Sequence, residues 1–166
     1  FNFLGPLTNP AGASRQLLGV SDRRYQETIA EALVGLGGER ALVVSAEDGM
    51  DEIAISGPTR VVELADGRTV EWFTDPEELG VEAVSAERIA GGSPEENATV
   101  VRAVLDGAAG PARDIVVVNA GAAILASGAA ADLLDGVGKA RQAIDSGAAR
   151  ELLDRLIQIT SSLSAG

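Results

Sequence analysis

A chain of 166 residues, 46% of them hydrophobic, is long enough to bury one sizeable core. It contains no cysteine and no histidine, which excludes disulfides, thiolate or histidine metal sites and histidine-based catalytic triads. A net charge of −12 argues against nucleic acid or an anionic membrane as a partner, and no apolar run reaches the ~20 residues of a membrane span.

The chain opens on Phe1–Ala11 (FNFLGPLTNPA), where Gly5-Pro6 and Asn9-Pro10 stiffen the backbone. Phe1–Gly12 therefore reads as a loop, with the residue before each proline pushed away from helical geometry. A domain rarely begins inside its best-defined motif, so an upstream half is expected to precede it. Ser14–Val20 (SRQLLGV) reads as a short strand. Ser21-Asp22 start a helix carrying Tyr25, Ile29, Leu33 and Leu36 on its apolar face, and Gly37-Gly38 end it. Arg40–Ser45 (RALVVS) is a buried strand, followed by the acidic loop Ala46-Glu47-Asp48-Gly49-Met50-Asp51-Glu52. Arg60–Leu64 and Thr69–Phe73, joined through Ala65-Asp66-Gly67-Arg68, form a hairpin on the strength of Asp-Gly. Asp75-Pro76-Glu77-Glu78 starts a one-turn helix.

Ser93, Pro94 and Glu96 occupy the N-cap, N1 and N3 positions of a capped helix, with Ala98, Val101, Val104 and Leu105 as its apolar face and Gly107 as its stop. Pro111–Ser127 mixes a β-branched VVV with an Ala/Gly-rich stretch. The small residues suit close helix packing, so one buried helix is expected. Two further helices, Leu133–Asp145 and Ala148–Leu163, are divided at Ser146-Gly147, and Ser162–Gly166 is expected to fray. The succession of strand, helix, strand, hairpin and helices is α/β, a sheet with parallel strands flanked by helices. Such sheets place ligands at the carboxyl ends of their strands, here beyond Arg40–Ser45.

Without histidine or cysteine, chemistry must rest on carboxylates, hydroxyls, backbone amides and 13 cations. A phosphate-rich ligand would need a divalent cation or another chain segment to offset the acidic surface. Asp51-Glu52 is the best candidate: Mg²⁺ favours one or two carboxylates plus water and substrate phosphates, and Gly49 permits the sharp turn before the pair. A solvated acidic loop is the plainer reading, and it is the one given to Glu47 and Asp48. Gly5-Pro6 offers a rigid wall for a flat apolar ligand, or a structural turn. Gly91-Gly92 precedes a helix, but Glu95 and Glu96 in its first turn favour capping over anion binding. Asn119 reads as a satisfied core amide, and Asp145-Ser146-Gly147 as a helix break.

The ordered set of FNFLGPLTNPA, Gln16-Leu17-Leu18-Gly19-Val20, Val43-Val44 and Asp48-Gly49-Met50-Asp51-Glu52 closely resembles the anthranilate phosphoribosyltransferase family. Gly91-Gly92 with Glu96-Asn97-Ala98, Arg113-Asp114, Asn119-Ala120 and Ala143-Ile144-Asp145-Ser146-Gly147-Ala148 continue it. The resemblance implies the C-terminal part of a large α/β domain with a central mixed, partly parallel sheet. It places the N-terminal helical domain and the phosphoribosyl pyrophosphate (PRPP) loop outside residues 1–166. It further implies phosphoribosyl transfer from PRPP to anthranilate, with release of pyrophosphate, in tryptophan biosynthesis by a cytoplasmic homodimer. By the same resemblance Asp51 and Glu52 ligate Mg²⁺, and Gly5 and Pro6 line the anthranilate side. No catalytic residue proper is assigned within the segment, which alone is expected to be inactive. The resemblance departs at Ser45-Ala46, where the family often carries His-Gly, and in the lack of the glycine-rich GTGGD loop. A pyrimidine nucleoside phosphorylase-like enzyme and a non-catalytic module of the same fold are the alternatives.

Overall fold

The computed structural model describes residues 4–164. Phe1, Asn2 and Phe3, the lead-in of the opening motif, lie outside the described residues, as do Ala165 and Gly166. Four strands form one sheet in the order β1-β2-β3-β4: β1 (Arg15–Gly19), β2 (Arg40–Ala46), β3 (Thr59–Ala65) and β4 (Arg68–Thr74). β1 and β2 are parallel, with Leu17 opposite Leu42 and Gly19 opposite Val44. They are joined by the crossover helix α2 (Gln26–Gly35). β2–β3 and β3–β4 are antiparallel. Asp66 and Gly67 both take positive φ (50° and 71°), the two-residue hairpin geometry that the Asp-Gly pair predicts.

β2 is the centre of the fold and is buried from Ala41 to Ala46. Its apolar run lies between two layers, so its sequence lacks the polar alternation of a one-sided strand. Leu42 and Val44 face the larger core, built with α4 (Pro111–Ser127) and α5 (Leu133–Asp145). Ala41 and Val43 face a smaller core with Ile29, Ala30 and Leu33 of α2. The period-2 alternation of side chains accounts for this division. α4 settles the ambiguous segment as a helix. Its Gly121 meets Gly136 of α5 so closely that a Cβ on Gly121 would lie 2.6 Å from the Val137 nitrogen. Only glycine at both positions permits that approach. α3 (Pro94–Leu105) begins with the predicted capping box: Glu96 N–H donates to Ser93 Oγ (3.3 Å), and Ser93 N–H to Glu96 Oε2 (2.8 Å).

Several expectations are corrected. Leu4–Leu7 form a one-turn helix, α1, within the expected loop. Gly5 lacks the Cβ that clashes with a following proline ring, and Pro6 sits in a first turn where its missing N–H costs nothing. Tyr25 and Leu36, expected on the helix's apolar face, are exposed and flank α2 at its two ends, while Gln26 in its first turn is fully buried. Its Nε2 donates to the carbonyls of Val43 (2.9 Å) and Arg60 (3.0 Å), which makes a polar residue tolerable in that core. Of the predicted apolar face of α3, only Val104 is buried. The last helix, α6 (Ala148–Ser164), includes residues 162–164 of the stretch expected to fray, the last two residues lying outside the described ones: Thr160 and Ser162 hydroxyls donate to carbonyls of its own preceding turn.

Candidate functional site

The acidic loop begins where β2 ends. Ala46 N–H donates to the Met50 carbonyl (2.9 Å) and Gly49 N–H to the Ala46 carbonyl (3.1 Å), closing a tight turn with Gly49 at φ 91°. Asp48 is exposed but not merely solvated. It accepts from Met50 N–H (3.1 Å) through Oδ1 and from the Ser56 hydroxyl (2.5 Å) through Oδ2, tying both ends of the loop together. Beyond the turn, Ile53, Ala54 and Ile55 are buried. Ala54 N–H donates to Thr59 Oγ1 (3.0 Å), and Ile53 is bonded through both its N–H and its carbonyl to Asn119 of α4. Asp51 and Glu52 therefore stand exposed between a closed turn and a buried, hydrogen-bonded segment.

The pair borders an open cavity of about 410 Å³ with Leu17, Gly19, Val44, Ile115 and Val116 along its wall and Asn119 within it. This is the carboxyl end of the parallel strands, as the strand order predicts. Partial desolvation lifts the Glu52 carboxyl above the usual range, and the neighbouring Asp51 charge pushes the same way. Two crowded carboxylates on a half-apolar rim fit a divalent cation, which would relieve their repulsion. Among the described residues no group of three or more acidic, histidine or cysteine side chains could hold an ion. That donor set suits Mg²⁺, with waters and phosphate oxygens completing the shell, and is too sparse for an all-protein cage.

Gly5 and Pro6 fall elsewhere. Pro6 lines a separate pocket of about 210 Å³ with Leu7, Asn9, Gln16, Leu33 and Gly38. That pocket lies at the amino end of β1 and β2, whereas the acidic pair lies beyond their carboxyl ends. Gly5 is exposed, and a Cβ there would meet nothing within 4 Å. The structure thus brings Asp51 and Glu52 together and sets Gly5 and Pro6 at the opposite end of the sheet.

The remaining candidates resolve as structural. Gly92 N–H donates to Asn97 Oδ1 (2.8 Å), so the Gly91-Gly92 loop is tied to its own helix. Asp145 accepts from Arg113 Nη2 at 2.5 Å, pinning the helix break to α4. Ser45, at the point of departure from the resembled family, is buried, and its hydroxyl has no partner among the described residues. Sequence reasoning missed Gly19. A Cβ there would overlap the Asp51 carbonyl oxygen, so the acidic loop rests directly on the end of β1. A glycine ending a strand is the signal that could have marked this approach.

Comparison with known proteins matches residues 1–150 to the family described as "Glycosyl transferase family, a/b domain". The anthranilate phosphoribosyltransferase of Desulfatibacillum aliphaticivorans is 52% identical over 160 residues, covering 96% of this chain and 47% of the relative. Among solved structures, the anthranilate phosphoribosyltransferase of Thermus thermophilus superposes with a TM-score of 0.84 at 44% identity, over 93% of this chain and 45% of that one. The Saccharomyces cerevisiae enzyme, in complex with PRPP and Mg, gives a TM-score of 0.85 at 27% identity, over 96% and 46% of the two chains. The chain spans about half the length of the curated relatives it matches.

Proposed function

The chain belongs to the glycosyl transferase family through its a/b domain, and from that premise we propose that it forms the C-terminal part of the catalytic α/β domain of an anthranilate phosphoribosyltransferase. In this reading the whole enzyme transfers the phosphoribosyl group of PRPP to the amine of anthranilate. The products are N-(5-phosphoribosyl)anthranilate and pyrophosphate, within tryptophan biosynthesis. The bond between ribose C1′ and the pyrophosphate oxygen breaks, a C1′–N bond forms, and the amine loses a proton. No protein nucleophile is required, which fits a segment without histidine or cysteine. Catalysis of this kind rests on stabilising the leaving pyrophosphate and an oxocarbenium-like sugar.

Asp51 and Glu52 are the residues assigned to magnesium, which when bound offsets the negative charge developing on the leaving group. The observation that carries the proposal is this acidic pair, fixed at the carboxyl end of a parallel strand beside an open cavity. Gly5 and Pro6 are assigned to the anthranilate side. A cytoplasmic homodimer is proposed for the full-length protein. No helix among the described residues is long and apolar enough to cross a membrane.

The test is substrate consumption by the full-length enzyme. Anthranilate with PRPP and Mg²⁺ should be turned over, and thymidine with phosphate should not. The reverse preference would replace the proposal with a nucleoside phosphorylase. The isolated 166 residues, which contain no glycine-rich GTGGD loop, are expected to give no turnover. Activity of the segment alone would contradict the assignment of essential phosphate contacts to another part of the protein.

A further inference from the structure

We infer that Asn119 is a positioning residue for the magnesium pair, acting through the backbone of Ile53; the inference rests on the reading of Asp51 and Glu52 as metal ligands. Asn119 lies on α4, 66 residues from Ile53 in sequence. Its Oδ1 accepts from Ile53 N–H at 2.9 Å, and its Nδ2 donates to the Ile53 carbonyl at 2.9 Å. The amide thus pairs with one residue's backbone as a neighbouring strand would. The second Nδ2 proton goes to the carbonyl of Ile115, on the same helix, at 3.0 Å. All three contacts require the oxygen and nitrogen as placed, so the amide has one orientation. Glu52 is bonded covalently to the residue this amide holds, and Asn119 shares the cavity that Asp51 and Glu52 border.

A satisfied core amide would need no particular partner. This one spends its capacity on the residue next to the acidic pair. No aspartate, leucine or alanine reproduces it: aspartate would set a carboxylate against two carbonyls, and the apolar residues would leave a buried N–H and a carbonyl unpaired. Removing Asn119 should therefore free the carboxylates to move while the hydrophobic anchors Ile53 and Ile55 keep the segment in the fold.

The experiment uses the full-length enzyme and Mn²⁺ in place of Mg²⁺, with binding followed by electron paramagnetic resonance in the presence of pyrophosphate. Thermal stability and steady-state kinetics are measured on the same samples. Asn119→Ala is compared with Val137→Ala, a core truncation at the α4–α5 contact that removes no hydrogen bond to Ile53. Asn119→Ser serves as a milder second variant should the alanine fail to fold. The expected result is a metal affinity about tenfold weaker in the Asn119 variants, the size seen when groups orienting metal ligands are removed. Val137→Ala should lose stability with wild-type affinity, and kcat at saturating metal should stay within about threefold for Asn119→Ala. Wild-type affinity in the Asn119 variants, or an equal loss in Val137→Ala, would overturn the inference. An Asp51→Ala/Glu52→Ala variant separates the two readings. If it binds Mn²⁺ normally, the metal assignment itself fails and the inference with it. If it loses binding while Asn119→Ala does not, only the positioning role fails.

Discussion

The two loops that stand out in the sequence differ sharply in how the fold holds them. The acidic loop is fixed on every side: its turn closes on Ala46, Asp48 ties it to Ser56, Thr59 and Asn119 hold the residues beyond it, and Gly19 lies beneath it. The Gly-Pro turn shows short-range bonds among its described residues, including Thr8 N–H to the Gly5 carbonyl (3.2 Å), Gly12 N–H to the Asn9 carbonyl (3.0 Å) and Ala11 N–H to Asn9 Oδ1 (3.0 Å), with Leu7 packed against the smaller core. At Gly5 a Cβ would meet nothing within 4 Å, whereas at Gly19, beneath the acidic loop, it would overlap the Asp51 carbonyl. Proline and glycine set a loop's local shape, but its place in a site comes from long-range contacts, and those converge on Asp51 and Glu52.

This contrast can be broken or sharpened by substitution in the full-length enzyme. The largest effect is expected from Asp51→Ala with Glu52→Ala: turnover should fall about 10²-fold, the size of losing a principal charge-stabilising group. Steady-state rates at saturating substrates measure it. Gly19→Ala should cost about 2 kcal/mol in urea unfolding, because its methyl needs the space of the Asp51 carbonyl and the surroundings are packed. A neutral result would mean that the loop does not rest on β1. Thr59→Val keeps the shape but leaves the buried Ala54 N–H without its acceptor, for a loss of about 1–2 kcal/mol. Gly5→Ala should change stability by no more than about 0.5 kcal/mol, since a Cβ there is unopposed. Under the proposed function its effect appears instead as a raised KM for anthranilate, with the magnesium dependence unchanged. A large stability loss at Gly5 would erase the distinction between the loops.

Local signals carried much of the fold. Pro111 in the first turn of α4 and the Ser93–Glu96 capping box of α3 mark helix starts through neighbouring residues only. Asp66-Gly67 specified its hairpin for the same reason. Long-range facts were hidden. Gln26 looks like a surface residue until β2 and β3 present it with two carbonyls. Asn119 was legible as a satisfied amide, but its partner 66 residues away was not. The exposed Val101 of α3 followed the helical pattern and still found no core, because periodicity identifies a face without saying what covers it. Asp51 and Glu52 were legible as a pair, while the orphaned hydroxyl of Ser45 depends on packing that no spacing reveals.

In the proposed function Asp51 and Glu52 form the magnesium edge of a phosphoribosyl transfer site. Its most direct test is a Mg²⁺ titration of anthranilate consumption, at saturating PRPP, for the full-length enzyme and its Asp51→Ala/Glu52→Ala variant. The account predicts that the variant needs much more Mg²⁺ to reach half its maximal rate. A variant whose titration overlays the wild type would contradict it.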